Sequence, residues 1–144
     1  LIGALPCEDL LEKLDIAFDP ACSIILPSVH FGGPVEAERG LVLHSTDYLR
    51  DDSMPIDATM ALTATVDIVR DIAEGQGPND VVLALGYAGW GPGQLDGEIQ
   101  ENAWLSVPSD QLLVFDDDIE TKWDRAMAKI GVDAALLSTQ AGRA

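Results

Sequence analysis

Basic residues are scarce in this sequence. Eight Lys and Arg stand against 25 Asp and Glu, a formal net charge of −17. Such a surface repels phosphate backbones and anionic lipids. The cations (Lys13, Arg39, Arg50, Arg70, Lys122, Arg125, Lys129 and Arg143) are scattered and form no basic stripe. Direct nucleic-acid binding is therefore disfavoured; a basic protein partner, a cation or a neutral ligand fits better. Cysteine is scarce too. Cys7 and Cys22 form no CxxC and no Cys/His ligand spacing, which argues against structural zinc and reads as two free thiols. No apolar run is long enough to cross a bilayer, so no membrane contact is expected. Nor does a charged or long apolar leader open the chain, although it begins at Leu1 and not at Met.

What is there is enough to fold. Of 144 residues, 47% are apolar, which excludes disorder and fits one domain with its own core. Leu1–Leu5 reads as the end of a strand stopped by Pro6. "CEDLLEKL" puts Leu10, Leu11 and Leu14 on one helical face. In "SVHFGGPVEAERGLVLHS", Gly32, Gly33 and Pro34 make a turn between two strands, the second over Leu41–His44. "YLRDDSMPID" reads as loop. A short strand ends near Thr63, and Thr65 is placed to cap a helix with Ile68, Val69, Ile72 and Ala73 on its apolar face and Gly75 as its stop. "VVLALGY" reads as a buried strand and "LLVF" as another. The Asp116–Asp118 run reads as an N-cap with extra charge ahead of a helix carrying Trp123, Ala126, Met127 and Ile130, ended by Gly131. Strands and helices mix without regular alternation, so the expected class is α+β.

The segment "ALGYAGWGPGQLDGEIQENAW" poses the functional question. A strand, then glycines, then a helix N-terminus is a setting that can cradle phosphate. The details disagree. Gly86, Gly89, Gly91 and Gly93 give no GxGxxG, and no Lys-Ser or Lys-Thr follows. Asp96 and Glu98 already occupy the positive end of the helix Pro92–Asn102, and no Lys or Arg lies between Arg70 and Lys122. The glycines are then expected to allow positive φ and close backbone approach at a tight corner tipped by Trp90. Leu95 and Ile99 are expected to face the core. Gln94, Glu98 and Asn102 would form a polar stripe at i,i+4 spacing. Trp90 is either a buried plug or a ligand platform.

No recognisable catalytic set is present. His44 beside Ser45 lacks GxSxG, and neighbours in a strand point to opposite faces. Glu98 and Glu101 as paired carboxylates compete with a plain acidic helix face. The Asp116–Asp118 run lacks the glycine and alternating ligands of a calcium loop. Arg39 is expected to pair with Glu36 or Glu38, and its turn to approach the Trp90 loop.

These residues resemble the YqgE/AlgH family of bacterial proteins. "LGYAGWGPGQLDGEIQENAWL" is very similar to the family's central motif. "FGGPVEAERGLVLH", "LTATVDIVRDIAEGQGP", "LLVFDDDIETKW" and the closing "LSTQAGRA" extend the likeness over nearly the whole chain. The resemblance implies a single α+β domain over residues 1–144 with a mixed, partly barrel-like sheet flanked by helices. It also implies a bacterial, cytoplasmic location and an N-terminal segment ahead of Leu1. One branch carries a transcriptional-regulator label, but the resemblance supplies no catalytic residue and no cofactor. The expectation is a non-enzymatic binding or regulatory protein that meets a protein partner or small ligand, with no metal and no cofactor. The alternative is a small-molecule-binding protein or enzyme using the Trp90 loop. The candidate binding residues are Trp90, Gln94, Glu98, Asn102, Arg39 and His44. Gly32, Gly33, Pro34, Gly86, Gly89, Gly91 and Gly93 are candidate structural loop residues.

Overall fold

A computed structural model describes residues 2–19, 21 and 23–132. The chain divides into two compact units, Leu1–Gly89 and Trp90–Ala144. Cys22 and the closing "LSTQAGRA" lie outside the described residues.

Among its described residues the first unit carries six strands and two helices: β1 (Ile2–Leu5), α1 (Cys7–Lys13), β2 (Val29–Phe31), β3 (Val35–Ser45), β4 (Met54–Pro55), β5 (Met60–Thr63), α2 (Val66–Ala73) and β6 (Val81–Tyr87). The strands form one mixed sheet in the order β1-β2-β6-β3-β5-β4. Only β2 and β6 run parallel. The sheet is open at β1 and β4, so it does not close into a barrel. "YLRDDSMPID", expected as loop, contributes β4. Its Pro55 sits where a missing N–H is tolerated, on an edge strand.

Cross-strand register explains the core. Val29 faces Leu83, Leu83 faces Val42, and Val42 faces Thr63, so four side chains lie in one row across β2, β6, β3 and β5. All four are buried. Cys7 and Leu11 of α1 join the same apolar cluster, as do Ile68, Val69, Ile72 and Ala73 of α2. The expected apolar face of α2 is thus the face it buries. Fully burying a side chain of this size contributes about 1.5–3 kcal/mol. Burial pushes the Cys7 thiol up to about 11, with Glu8 adding to the shift, which keeps it protonated and unreactive at neutral pH.

Glycine is required where backbones cross. A Cβ on Gly33 would stand 2.3 Å from the Tyr87 carbonyl carbon, and one on Gly32 would stand 2.2 Å from Gly86 O. The turn ending β2 therefore lies directly on the end of β6, and the Gly32 amide donates to Leu85 O. Gly86 meets both demands at once: its φ is +73° and Gly33 O would lie 2.4 Å from its Cβ.

The second unit carries α3 (Gln94–Gln100), α4 (Gln111–Phe115) and α5 (Ile119–Lys129). Helix α3 is shorter than Pro92–Asn102. "LLVF" is helical, not a strand. A four-residue apolar run cannot distinguish the two by itself. The deciding feature is Asp110, whose carboxylate caps α4 by accepting from the Leu113 amide at 2.6 Å. Side chains of α5 then hold α4 and the link after it. Lys122 Nζ donates to Val114 O, Arg125 pairs with Asp116, and Lys129 pairs with Asp110. Within the acidic run, Asp118 is the N-cap of α5, while Asp116 accepts from the Asp118 amide. On α5, Met127 is buried but Trp123 is exposed.

One device stops four helices. A residue with positive φ follows each of α1, α2, α3 and α5: Asp15, Gly75, Asn102 and Gly131. In each case its amide and the next one turn back onto carbonyls of the last turn. Gly75 and Gly131 were readable as stops; Asp15 and Asn102 are the same stop made without glycine.

Candidate functional site

The loop before α3 is organised by one carboxylate. Trp90 Nε1 donates to Glu98 Oε2 at 3.0 Å, and Trp104 Nε1 donates to the same oxygen at 2.7 Å. Gln94 Nε2 donates to Glu98 Oε1 at 2.8 Å. Gln94 in turn accepts the Gly91 amide at 3.1 Å, tying the loop to the helix. The indole rings meet edge to face, with centroids 5.6 Å apart. Trp90 is 38% exposed and Trp104 is 49% exposed, so neither is a buried plug.

Backbone geometry delivers each contact. Gly93 takes φ +74° at the start of α3, and Gln94 and Glu98 follow one turn apart on one face. Asn102 does not continue that stripe. It sits beyond the helix end with φ +59°, its amide on Ile99 O, while the Ala103 amide returns to Glu98 O. That reversal carries Trp104 back over Glu98. Sequence reasoning passed over Trp104 as a site residue. The available signal was its indole donor two residues past a residue able to take positive φ. Leu95 and Ile99, expected in the core, are exposed; α3 buries no residue.

This arrangement is poorly suited to bind phosphate or act as a general base. The Gly91 amide is committed to Gln94 Oε1, and the Gln94 amide to Gly91 O. The hydrogen bonds from Trp104, Gln94 and Trp90 hold the Glu98 carboxyl below its ordinary range. A carboxylate so engaged is a weak proton acceptor at neutral pH.

The other two candidates lie in the first unit. Arg39 forms an exposed pair with Glu36 at 2.9 Å. Arg39, then Tyr87, holds the Glu36 carboxyl low. His44 is fully buried, a core residue and not a surface ligand. Its Nδ1 donates to Ser45 O at 3.0 Å, and its Nε2 lies 2.9 Å from Thr63 Oγ1. Thr63 reaches Ser53 Oγ, which also accepts the Arg50 amide. A chain of hydrogen bonds thus runs from the β3–β4 connection into the core. Tyr48 stands edge-on to His44 and donates to Asp71 of α2, which also pairs with Arg50. Ser45 Oγ bonds Asp47, and the imidazole meets Ser45 at its carbonyl and not at Oγ, so His44 and Ser45 are not a nucleophile–base pair. Among the described residues, no group of three or more His, Cys, Asp or Glu is placed to hold a metal ion. None of the described helices is long and apolar enough to cross a membrane.

Comparison with known proteins agrees with the motif reading. A family model described as AlgH-like matches residues 3–135. A UPF0301 protein of Rhodospirillum rubrum is 50% identical over 136 residues, covering 94% of this chain and 70% of that protein. A UPF0301 protein of Rhizobium meliloti is 50% identical over 146 residues, covering 97% of this chain and 72% of its own length. The solution structure of the AlgH protein from Pseudomonas aeruginosa is similar with a TM-score of 0.72 at 37% identity, covering 99% of this chain and 74% of that one.

Proposed function

This chain belongs to the AlgH-like family, and from that premise we propose that it is a non-enzymatic binding or regulatory protein of the bacterial cytoplasm. Its contact surface is the Trp90 loop with α3, and it acts through a protein partner without touching DNA. The observation that carries this reading is the pair of part-exposed indoles fixed on Glu98. Large aromatic rings held in one orientation at a surface lose little freedom on contact and supply most of the energy in many interfaces. The acidic balance of the chain supports a route other than direct DNA contact.

Affinity capture from a bacterial lysate, comparing the wild type with Trp90→Ala and Trp104→Ala, tests the reading. Partners held by the wild type should be lost from both folded variants. Identical captured sets would reject it.

A further inference from the structure

Resting on that reading, we propose that the Trp90–Glu98–Trp104 surface takes a cationic polypeptide segment, one that presents Arg or Lys among apolar residues. The basis is an inventory of what the surface has left to offer. An indole has a single donor, its N–H. Both are spent on Glu98. The Gln94 amide group donates to the other Glu98 oxygen and accepts from Gly91, and the Asn102 and Ala103 amides close the helix end. Exposed on the same stretch are the indole rings, the apolar side chains of Leu95, Ile99 and Leu105, and the carboxylates of Asp96 and Glu101.

No Lys or Arg lies between Arg70 and Lys122 to balance them. An anionic partner finds no cation there, and both indole donors are already taken. A guanidinium or ammonium finds negative aromatic rings, with the Glu98 carboxylate at their N–H edges, and apolar neighbours for its aliphatic stem. A second copy of this chain is disfavoured, because each brings a charge of −17. The apolar side chains run from the loop across α3 to the following turn, a span suited to a peptide more than to a lone ammonium ion.

The test uses the whole chain, with the indole N–H resonances of its three tryptophans read separately. Trp123 on α5 serves as the internal control. The probes are a short synthetic peptide of alternating Arg and Leu, the same peptide with citrulline for Arg, and the same with Glu for Arg. The Arg peptide should shift Trp90 and Trp104 saturably and leave Trp123 in place. The citrulline peptide should bind at least about fivefold more weakly, and the Glu peptide should do nothing. Equal affinity for the Arg and citrulline peptides would overturn the requirement for charge while leaving the docking surface standing. No shift, or a parallel unsaturated drift of all three indoles, would overturn the inference outright. Failure of the docking reading itself would show separately, as capture unaffected by Trp90→Ala. Because the three peptides are compared on the unmodified protein, no peptide result depends on a variant that might misfold.

Discussion

The Gly32–Gly33 turn and the Gly91–Gly93 loop have similar composition but meet opposite conditions. In the first, glycine is there because another backbone occupies the place of a side chain, Tyr87 standing 2.3 Å from the Cβ position of Gly33. In the second, Gly91 would meet only Gln94 Oε1 at 3.7 Å, and Gly93 nothing within 4 Å. One corner is glycine for packing; the other is open, and only Gly93 needs glycine for its φ. The first belongs to a unit with an extensive buried core, the second to a unit whose α3 buries nothing. Residues held in place by packing maintain the fold. Residues held in place at a surface, with room around them, are available for contact.

Substitutions can break or sharpen this contrast. The largest effect is expected from Gly33→Ala or Gly86→Ala. Backbone must move in either case, and destabilisation of about 3 kcal/mol or more should appear in urea unfolding followed by circular dichroism. Next is His44→Ala, which removes a fully buried ring and one hydrogen bond each from Thr63 and Ser45 O. About 2–4 kcal/mol should be lost by the same measurement. Gly93→Ala should cost about 1 kcal/mol for its left-handed φ alone. Gly91→Ala should stay within about 0.5 kcal/mol. If it destabilised the chain as much as Gly33→Ala, the two corners would be alike after all.

Acid should separate the indoles. The Glu98 carboxyl lies below its ordinary value of 4.5 in the folded chain, chiefly through Trp104, then Gln94 and Trp90. A depressed folded value means that the contribution is complete above 4.5 and is lost as pH falls through the lower folded value. The Trp90 and Trp104 indole N–H signals should therefore move together below pH 4.5, with Trp123 unmoved while the helices persist. In Glu98→Gln that coupled transition should vanish.

Much of the first unit was legible because its signals are local and redundant. Ile68, Val69, Ile72 and Ala73 recur at helical spacing, and they are the face that α2 buries. Gly32–Gly33 was legible as a turn, but not that its backbone crosses Gly86 and Tyr87. Helix α4 was misread because "LLVF" has no period of its own; capping by Asp110 and contacts from α5 decide it. His44 stood as a candidate binding residue because the strand read from sequence, Leu41–His44, is too short to reveal which face is covered. Its burial follows from a register shared with Val42, a long-range fact. At the site, Gln94 and Glu98 could be paired from their spacing. Trp104 was missed, since its return to Glu98 depends on the positive φ of Asn102, two residues before it.

The most direct test of the central claim, that the indoles on Glu98 serve contact and not packing, is to measure partner affinity and melting temperature together on wild type and Trp90→Ala. Affinity should fall by about 2 kcal/mol or more while the melting temperature barely changes. A variant that melts much earlier yet binds its partner as before would contradict the account.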